Sequence, residues 1–161
     1  SSHYEDSDGF VRANATNYRL SDVLAAIGVA QLEKATEIID RRREIASWYD
    51  ERLSEVDGID TPTVDDSAYH IYQSYCVYVE VGDDDARDTI IDGLGDRNIG
   101  AGIGSHALHE TEAFADAKQV GSLDVSRGLY RNLLSLPISH GMEREDVERV
   151  AAAIEEEIAK L

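Results

Sequence analysis

The stretch NYRLSDVLAAIGVAQLEK, residues 17–34, places a polar, donor-rich opening directly before an apolar run. Ser21 is a residue type that caps helix N-termini, and Leu24 and Ile27 follow it at helical spacing with alanines between them. The same spacing continues well past this stretch. The sequence therefore predicts either one long helix from Ser21 or two helices joined near Ala35–Thr36.

Acidic residues dominate the composition. Asp and Glu number 33 against 15 Lys and Arg among 161 residues, which gives a net charge of −18. Nucleic acids are bound by basic surfaces, so this balance argues against a nucleic-acid partner. Abundant Asp with scarce Lys is what a cytoplasmic protein in concentrated salt shows, because ions screen the repulsion between carboxylates. The composition therefore favours a halophilic source.

The chain has no long apolar run and no basic segment followed by an apolar one near its start. Neither a membrane span nor a signal peptide is expected. Cys76 is the only cysteine, so no internal disulfide can form. Its place in an aromatic, strand-like run predicts a small buried side chain. A reducing cytoplasm is the expected location.

Strand and helix patterns alternate along the rest of the chain. The clearest strand is predicted over residues 68–81, and a short helix ended by glycine over 84–100. A glycine-rich passage over 99–114 leads into a short helix. It is followed by another predicted helix over 123–134, a short strand over 134–139 and an amphipathic helix over 143–160. The predicted class is α/β or α+β, with too few strands for a large parallel sheet.

The glycine-rich passage contains two candidates for chemistry. GAGIG, residues 100–104, lacks the spacing and the following lysine of a phosphate-binding loop, so a flexible turn is favoured. His106 and His109 stand three residues apart, which suits one helix face or a shared metal. No matching acidic residue stands out, so these histidines are expected to line a loop and no metal is predicted. His70, in the predicted strand, and His140 are expected to be structural.

None of the three lysines has the surroundings of a catalytic lysine. Lys34 and Lys160 lie on charged helix faces, and Lys118 lies in a turn. A lysine that forms a Schiff base needs desolvation or a cationic neighbour to lower its pKa. The residues themselves therefore predict ligand-holding groups, but no catalytic residue in this chain.

The segment TNYRLSDVLAAIGVAQLEKATEIIDRRREIASWYDERL, residues 16–53, resembles part of the DegT/DnrJ/EryC1/StrS family of sugar aminotransferases. The likeness continues, in the family's order, through YHIYQSYCVYVE, DRNIGAGIGSHALHETEAF and LSLPISHGMEREDVERV. It implies the small C-terminal domain of a protein with the aspartate-aminotransferase fold. This domain, residues 17–161, would have a long N-terminal helix, a small and mostly antiparallel sheet, and flanking helices. Residues 1–16 would be an irregular lead-in from an absent large domain.

The resemblance also implies an activity and partners. Family members transfer an amino group, usually from glutamate, to a keto sugar attached to a nucleotide, and they work as homodimers. By this resemblance Asn17 would contact the pyridoxal phosphate of the partner subunit, and Arg19 would support that site. An amide and a guanidinium at a helix start are suitable phosphate donors. Alternatively, Arg19 pairs with Asp22 and Asn17 only turns the chain.

The chain departs from the family where HYPPLH is common. Gly104 stands here in place of the first family histidine, and His109 matches the second. The resemblance implies that His109, with His106 beside it, contacts substrate. The missing first histidine would indicate a different or reduced substrate.

The resemblance places the Schiff-base lysine and the groups that hold the cofactor ring in the large domain. The expected protein is therefore a C-terminal fragment of a pyridoxal-phosphate-dependent aminotransferase of amino-sugar or polysaccharide biosynthesis, inactive by itself. Two alternatives stay open. One is a free-standing, non-catalytic regulatory or binding protein of the same fold, and the other is a pyridoxal-phosphate-dependent sugar dehydratase.

Overall fold

The structure, a computed structural model, describes residues 19–161. The chain divides into two compact units, residues 1–36 and 37–161. The elements are helices α1 (Asp22–Leu32), α2 (Ala35–Leu53), α3 (Ala86–Asp96), α4 (Asp124–Asn132) and α5 (Arg144–Ile158), strands β1 (Ile59–Asp60), β2 (Tyr75–Val79), β3 (Gly102–Ile103) and β4 (Leu133–Leu136), and 3-10 turns Leu108–Glu110 and Glu112–Phe114.

Helix α1 begins as the sequence predicts. The side-chain oxygen of Ser21 accepts a hydrogen bond from the N–H of Leu24 at 3.3 Å. The helix ends at Leu32, and α2 begins three residues later, so the prediction of two helices is confirmed over that of one. No residue of α1 is buried, and Val23 and Leu32 are 72% and 74% exposed. Helix α1 thus carries an apolar surface that faces solvent.

The sheet belongs to the unit of residues 37–161. Its strand order is β1-β2-β4-β3, and every pair is antiparallel, which confirms the small antiparallel sheet that the resemblance implies. Strands β2 and β4 form the centre of the sheet, because β2 pairs with β1 and β4, and β4 pairs with β2 and β3. Strands β1 and β3 have two residues each, too few for a period-two pattern to be read from the sequence.

The strand predicted over residues 68–81 is wrong in its first half, because β2 begins only at Tyr75. Two arginines of α2 donate hydrogen bonds to carbonyl groups of the loop that precedes β2. Arg42 donates to the carbonyl oxygens of Tyr72 at 2.9 Å and of Gln73 at 2.6 Å. Arg43 donates to the carbonyl oxygen of His70 at 2.7 Å. These acceptors are therefore satisfied by α2 and not by a neighbouring strand.

The core is formed by α2, α3, α5 and the sheet. Its fully buried large side chains are Tyr49, Tyr75, Ile45, Leu53, Ile90, Leu94, Leu134, Ile154, Val77 and Val147. The rings of Tyr49 and Tyr75 stack with their centroids 4.8 Å apart. The Tyr75 hydroxyl donates to Asp50 at 2.6 Å, and the Tyr49 hydroxyl donates to the carbonyl oxygen of Pro137 at 2.9 Å. The buried hydroxyls are thus paired, as a low-polarity core requires.

Helix α3 ends at Asp96 and is followed by Asn98 in the left-handed position, so the predicted glycine stop is wrong. Asn98 has a φ of 58°, in the left-handed region that Asn tolerates. The N–H of Ile99 donates to the carbonyl oxygen of Leu94, and the N–H of Asn98 donates to that of Gly95, both at 2.9 Å. These two hydrogen bonds form a Schellman motif, and the apolar side chains of Ile99 and Leu94 that accompany it are both buried.

Candidate functional site

The glycine-rich passage is part of the sheet and not a phosphate loop. Gly102 and Ile103 pair with Ser135 and Leu134 of β4, so the predicted flexible turn is wrong for this half of GAGIG. The N–H of Gly104 donates to the carbonyl oxygen of Leu133 at 2.8 Å. A β-carbon at Gly104 would lie 2.8 Å from Cγ of Leu133. The histidine common in the family would therefore require Leu133 to move.

His106 and His109 follow β3 and line one loop, as predicted, but they do not share a helix face. His106 is exposed, and its ring centroid stands 5.8 Å from that of Tyr130 on α4. His109 lies in the 3-10 turn Leu108–Glu110, with its side chain only 11% exposed. Its Nε2 atom is buried and has no hydrogen-bond partner within residues 19–161. A buried ring nitrogen without a partner is costly, so this atom is suited to an incoming polar group.

An ion pair joins the histidine turn to α4. Arg127 donates to Glu110 at 2.7 Å and to Asp124 at 2.9 Å. The hydrogen bond from Arg127 lowers the pKa of Glu110, so this carboxylate stays ionised below its usual range. Oε1 of Glu110 lies 3.8 Å from Nε2 of His109, too far for a hydrogen bond. The carboxylate is thus committed to Arg127 and leaves the histidine nitrogen available.

Arg87 of α3 supports Tyr130 from the buried side. The residue is only 5% exposed, and its Nε donates to Asp88 at 2.7 Å. Its Nη1 donates to the carbonyl oxygen of Tyr130, and the guanidinium lies 5.9 Å from the centroid of that ring. The sequence reading missed Arg87 and Tyr130. The available signal was that Arg87 falls at helical spacing with Ile90 and Leu94, where a charge interrupts the apolar stripe.

His70 and His140 lie apart from this loop in the sequence and have contacts of their own. Nδ1 of His70 accepts a hydrogen bond from the N–H of Tyr72 at 3.1 Å, in a loop and not in the predicted strand. His140 is exposed and lies 3.6 Å from Glu37. No group of three or more His, Cys, Asp or Glu in the described part of the chain is arranged to hold a metal ion. Among the same residues, no helix is long and apolar enough to cross a membrane.

The predicted phosphate-binding residues belong to the other unit. Asn17 lies outside the described residues, and Arg19 is exposed two residues before the Ser21 cap. All three lysines of the chain are exposed. Lys160, for example, donates to Glu157 at 2.7 Å. An exposed lysine lacks the desolvation that Schiff-base formation needs, so these residues do not fit a covalent pyridoxal phosphate site.

Family membership is decided by a match over almost the whole chain. The model of the DegT/DnrJ/EryC1/StrS aminotransferase family matches residues 2–155. The chain belongs to this family. This places the antiparallel sheet, the histidine loop and the helices around them in an aminotransferase framework.

Relatives in this family are considerably longer than the chain. A GDP-perosamine synthase of Caulobacter vibrioides is 28% identical over 141 residues, which are 87% of this chain and 38% of the relative. The dTDP-4-dehydro-2,3,6-trideoxy-D-glucose 4-aminotransferase of Saccharopolyspora spinosa is 35% identical over 133 residues, which are 81% of this chain and 33% of the relative. The chain thus spans between 33% and 38% of the length of these two relatives.

A solved structure gives the same picture. The crystal structure of the aminotransferase TlmJ from Streptoalloteichus hindustanus superposes with a TM-score of 0.77 and 32% identity. The superposition covers 92% of this chain and 40% of TlmJ. The mixed α/β fold with its small antiparallel sheet is therefore the fold of part of an aminotransferase.

Proposed function

We propose that this chain is the C-terminal small domain of a pyridoxal-phosphate-dependent aminotransferase that acts on a nucleotide-linked keto sugar. The observation that carries the proposal is the family match over residues 2–155 in a chain that spans only about a third of its relatives. The relatives named above include a synthase and an aminotransferase of nucleotide sugars. The whole protein would transfer an amino group, usually from glutamate, to the sugar, in amino-sugar or polysaccharide biosynthesis.

The cofactor would be held mainly by the rest of the protein. When bound, pyridoxal phosphate supplies an electron sink and carries the amino group. In this chain, Asn17 and Arg19 would donate to its phosphate at the start of α1, across a homodimer interface. Since all three lysines are exposed, we infer that the chain alone is inactive.

Helix α1 supports the proposal of an interface. A helix that is apolar on all sides is ordinarily enclosed by other elements, yet no residue of α1 is buried. Large exposed apolar patches in proteins mark surfaces that bind another protein or domain. We infer that the homodimer and the large domain cover this surface in the parent protein.

The loop of His106 and His109 would contact the sugar substrate. The buried Nε2 of His109 lacks a partner among residues 19–161, and a hydroxyl or carbonyl group of a sugar would supply one. His106 is exposed beside Tyr130, so a ligand can reach its ring. Gly104 stands at the position of the first histidine of the family motif. This supports a substrate different from that of relatives that have both histidines.

The first experiment is the size of the native polypeptide, measured by immunoblot of source-cell lysate with antibody raised to this chain. A band of more than twice 17.7 kDa is expected, because the relatives are more than twice as long. A band near 17.7 kDa would refute the proposal and favour the free-standing binding or regulatory protein.

Activity of the whole protein separates the remaining alternatives. Purified with pyridoxal phosphate, it should convert glutamate and a nucleotide keto sugar to 2-oxoglutarate and an amino sugar. Loss of water from the sugar without uptake of nitrogen would instead show a dehydratase. Asn17→Ala should weaken retention of the cofactor, whereas unchanged cofactor affinity would leave Asn17 with a purely structural role. We place the protein in a reducing, salt-rich cytoplasm on the grounds of its charge and its single cysteine.

A further inference from the structure

A buried arginine contacts Tyr130, whose ring also contacts His106 of the histidine loop. Arg87 is 5% exposed, and the only carboxylate that it contacts within residues 19–161 is Asp88, whose side chain is 58% exposed. A charge held this deeply is costly unless its donors are satisfied. The guanidinium offsets that cost with two hydrogen bonds, one to Asp88 and one to the carbonyl oxygen of Tyr130 in α4.

The contact with Tyr130 leads to His106. The Arg87 guanidinium faces the Tyr130 ring at 5.9 Å from its centroid, and the His106 ring lies 5.8 Å from the same centroid. The two basic groups thus contact one aromatic ring. Arg87 fixes both the main chain and the ring of Tyr130, so it limits where His106 can stand.

We propose that Arg87 is a positioning residue for the sugar-binding loop, acting through Tyr130 on His106. This rests on the proposed function, in which His106 contacts substrate. Arg87 does not itself reach the ligand, because it is buried and its Nη1 donates to the main chain of α4. A neutral side chain of similar length would fill the space but would release the Tyr130 carbonyl group and the ring.

Nuclear magnetic resonance of His106 in the chain tests the positioning step. Arg87→Met should move the His106 Hε1 resonance, because the shielding by the Tyr130 ring depends on its distance and tilt. Tyr130→Leu should move the same resonance in the absence of any change at Arg87. Tyr130→Phe keeps the ring, and Arg131→Met removes a different α4 contact, the 2.7 Å pair with Asp84. Both should leave the resonance in place.

Kinetics of the full-length protein test the consequence. Arg87→Met should raise KM for the nucleotide sugar about tenfold with a smaller change in kcat, because a displaced contact weakens binding before it alters the reacting groups. Arg131→Met should change neither. KM for glutamate serves as an internal reference and should not move, since general unfolding would affect both substrates.

The outcomes separate the two proposals. If a melting curve shows that Arg87→Met is folded and its His106 resonance is unmoved, the positioning role is overturned. If Arg87→Met unfolds the chain, Arg87→Lys decides, because it keeps the buried charge but lacks the guanidinium's fork of donors to Asp88 and the Tyr130 carbonyl group. An unmoved resonance there overturns the positioning role equally. A moved resonance combined with unchanged KM in both Arg87→Met and His106→Ala would uphold the contact but refute the proposal that His106 binds the sugar.

Discussion

Replacing Gly93 by alanine should destabilise the protein, although the same change two residues later should stabilise it. Gly93 lies in α3 against the buried side chain of Glu157 from α5. A β-carbon there would stand 2.7 Å from Cγ of Glu157 and closer still to its carboxylate. Glu157 cannot simply turn away, because Arg97 and Lys160 both bind that carboxylate.

The magnitude follows from two opposing terms. Alanine in place of glycine inside a helix gains about 0.5–1 kcal/mol. Forcing a methyl group into a packed contact costs about 1–3 kcal/mol. For Gly93→Ala the net loss should be about 1–2 kcal/mol, or about 2–8 °C in melting temperature for a chain of this size. Arg97 also donates to the Gly93 carbonyl oxygen at 2.6 Å, so any shift of the backbone would disturb a second bond.

Gly95→Ala is the matched control. Nothing lies within 4 Å of a β-carbon at Gly95, which belongs to the same helix. Only the gain in helix propensity remains, so this variant should be more stable by about 0.5–1 kcal/mol. Urea unfolding followed by circular dichroism measures both variants. If Gly93→Ala matched Gly95→Ala, Glu157 would not be held in place. In a Glu157→Ala background the penalty of Gly93→Ala should disappear, and its persistence there would point to the backbone.

Three further predictions rest on single residues. Burial raises the pKa of Asp50 in the folded protein, so this residue stabilises the fold below the ordinary carboxyl pKa, and that stabilisation is lost as the pH rises through the folded pKa. In urea unfolding between pH 3 and 7, the wild type should therefore lose stability relative to Asp50→Asn. Parallel curves of unfolding free energy against pH would contradict this. Burial also raises the pKa of the Cys76 thiol, so iodoacetamide at pH 7 should label it far more slowly in the folded protein than in urea, whereas equal rates would show an accessible thiolate. Asn98→Ala should cost about 1 kcal/mol in urea unfolding while Asn98→Gly costs almost nothing, and equal losses would show that the left-handed backbone is not the cause.

Local signals predicted the fold well where neighbouring residues decide the structure. Ser21 marked the start of α1 because an N-cap depends on a side chain and an N–H three residues away. The predicted helix over 143–160 is confirmed by α5. The strand over 134–139 is confirmed by β4, although the strand is shorter. In each case the deciding contacts lie within a few residues along the chain or in a regular hydrophobic pattern.

The failures came from contacts between distant residues. The loop before β2 has the aromatic and β-branched composition of a strand, but its carbonyl groups are bound by Arg42 and Arg43, about thirty positions earlier. Tyr72 even takes a positive φ of 46° there, which no composition rule predicts for tyrosine. For the candidate site, the sequence predicted His106 and His109. It did not identify Tyr130, because no pattern relates α4 to a loop more than twenty residues earlier.

The charge balance bears on how such a protein could bind a substrate that itself carries negative charge. Its arginines are largely committed within the fold: Arg42, Arg43 and Arg87 donate to main-chain carbonyl groups of other segments. Guanidinium groups suit this task, since one fork of donors can satisfy several acceptors. The acidic side chains are left to dominate the surface, so the nucleotide sugar of the proposed function would gain little long-range attraction from this chain. Binding would then rest on short-range contacts, and the buried Nε2 of His109 offers one such contact.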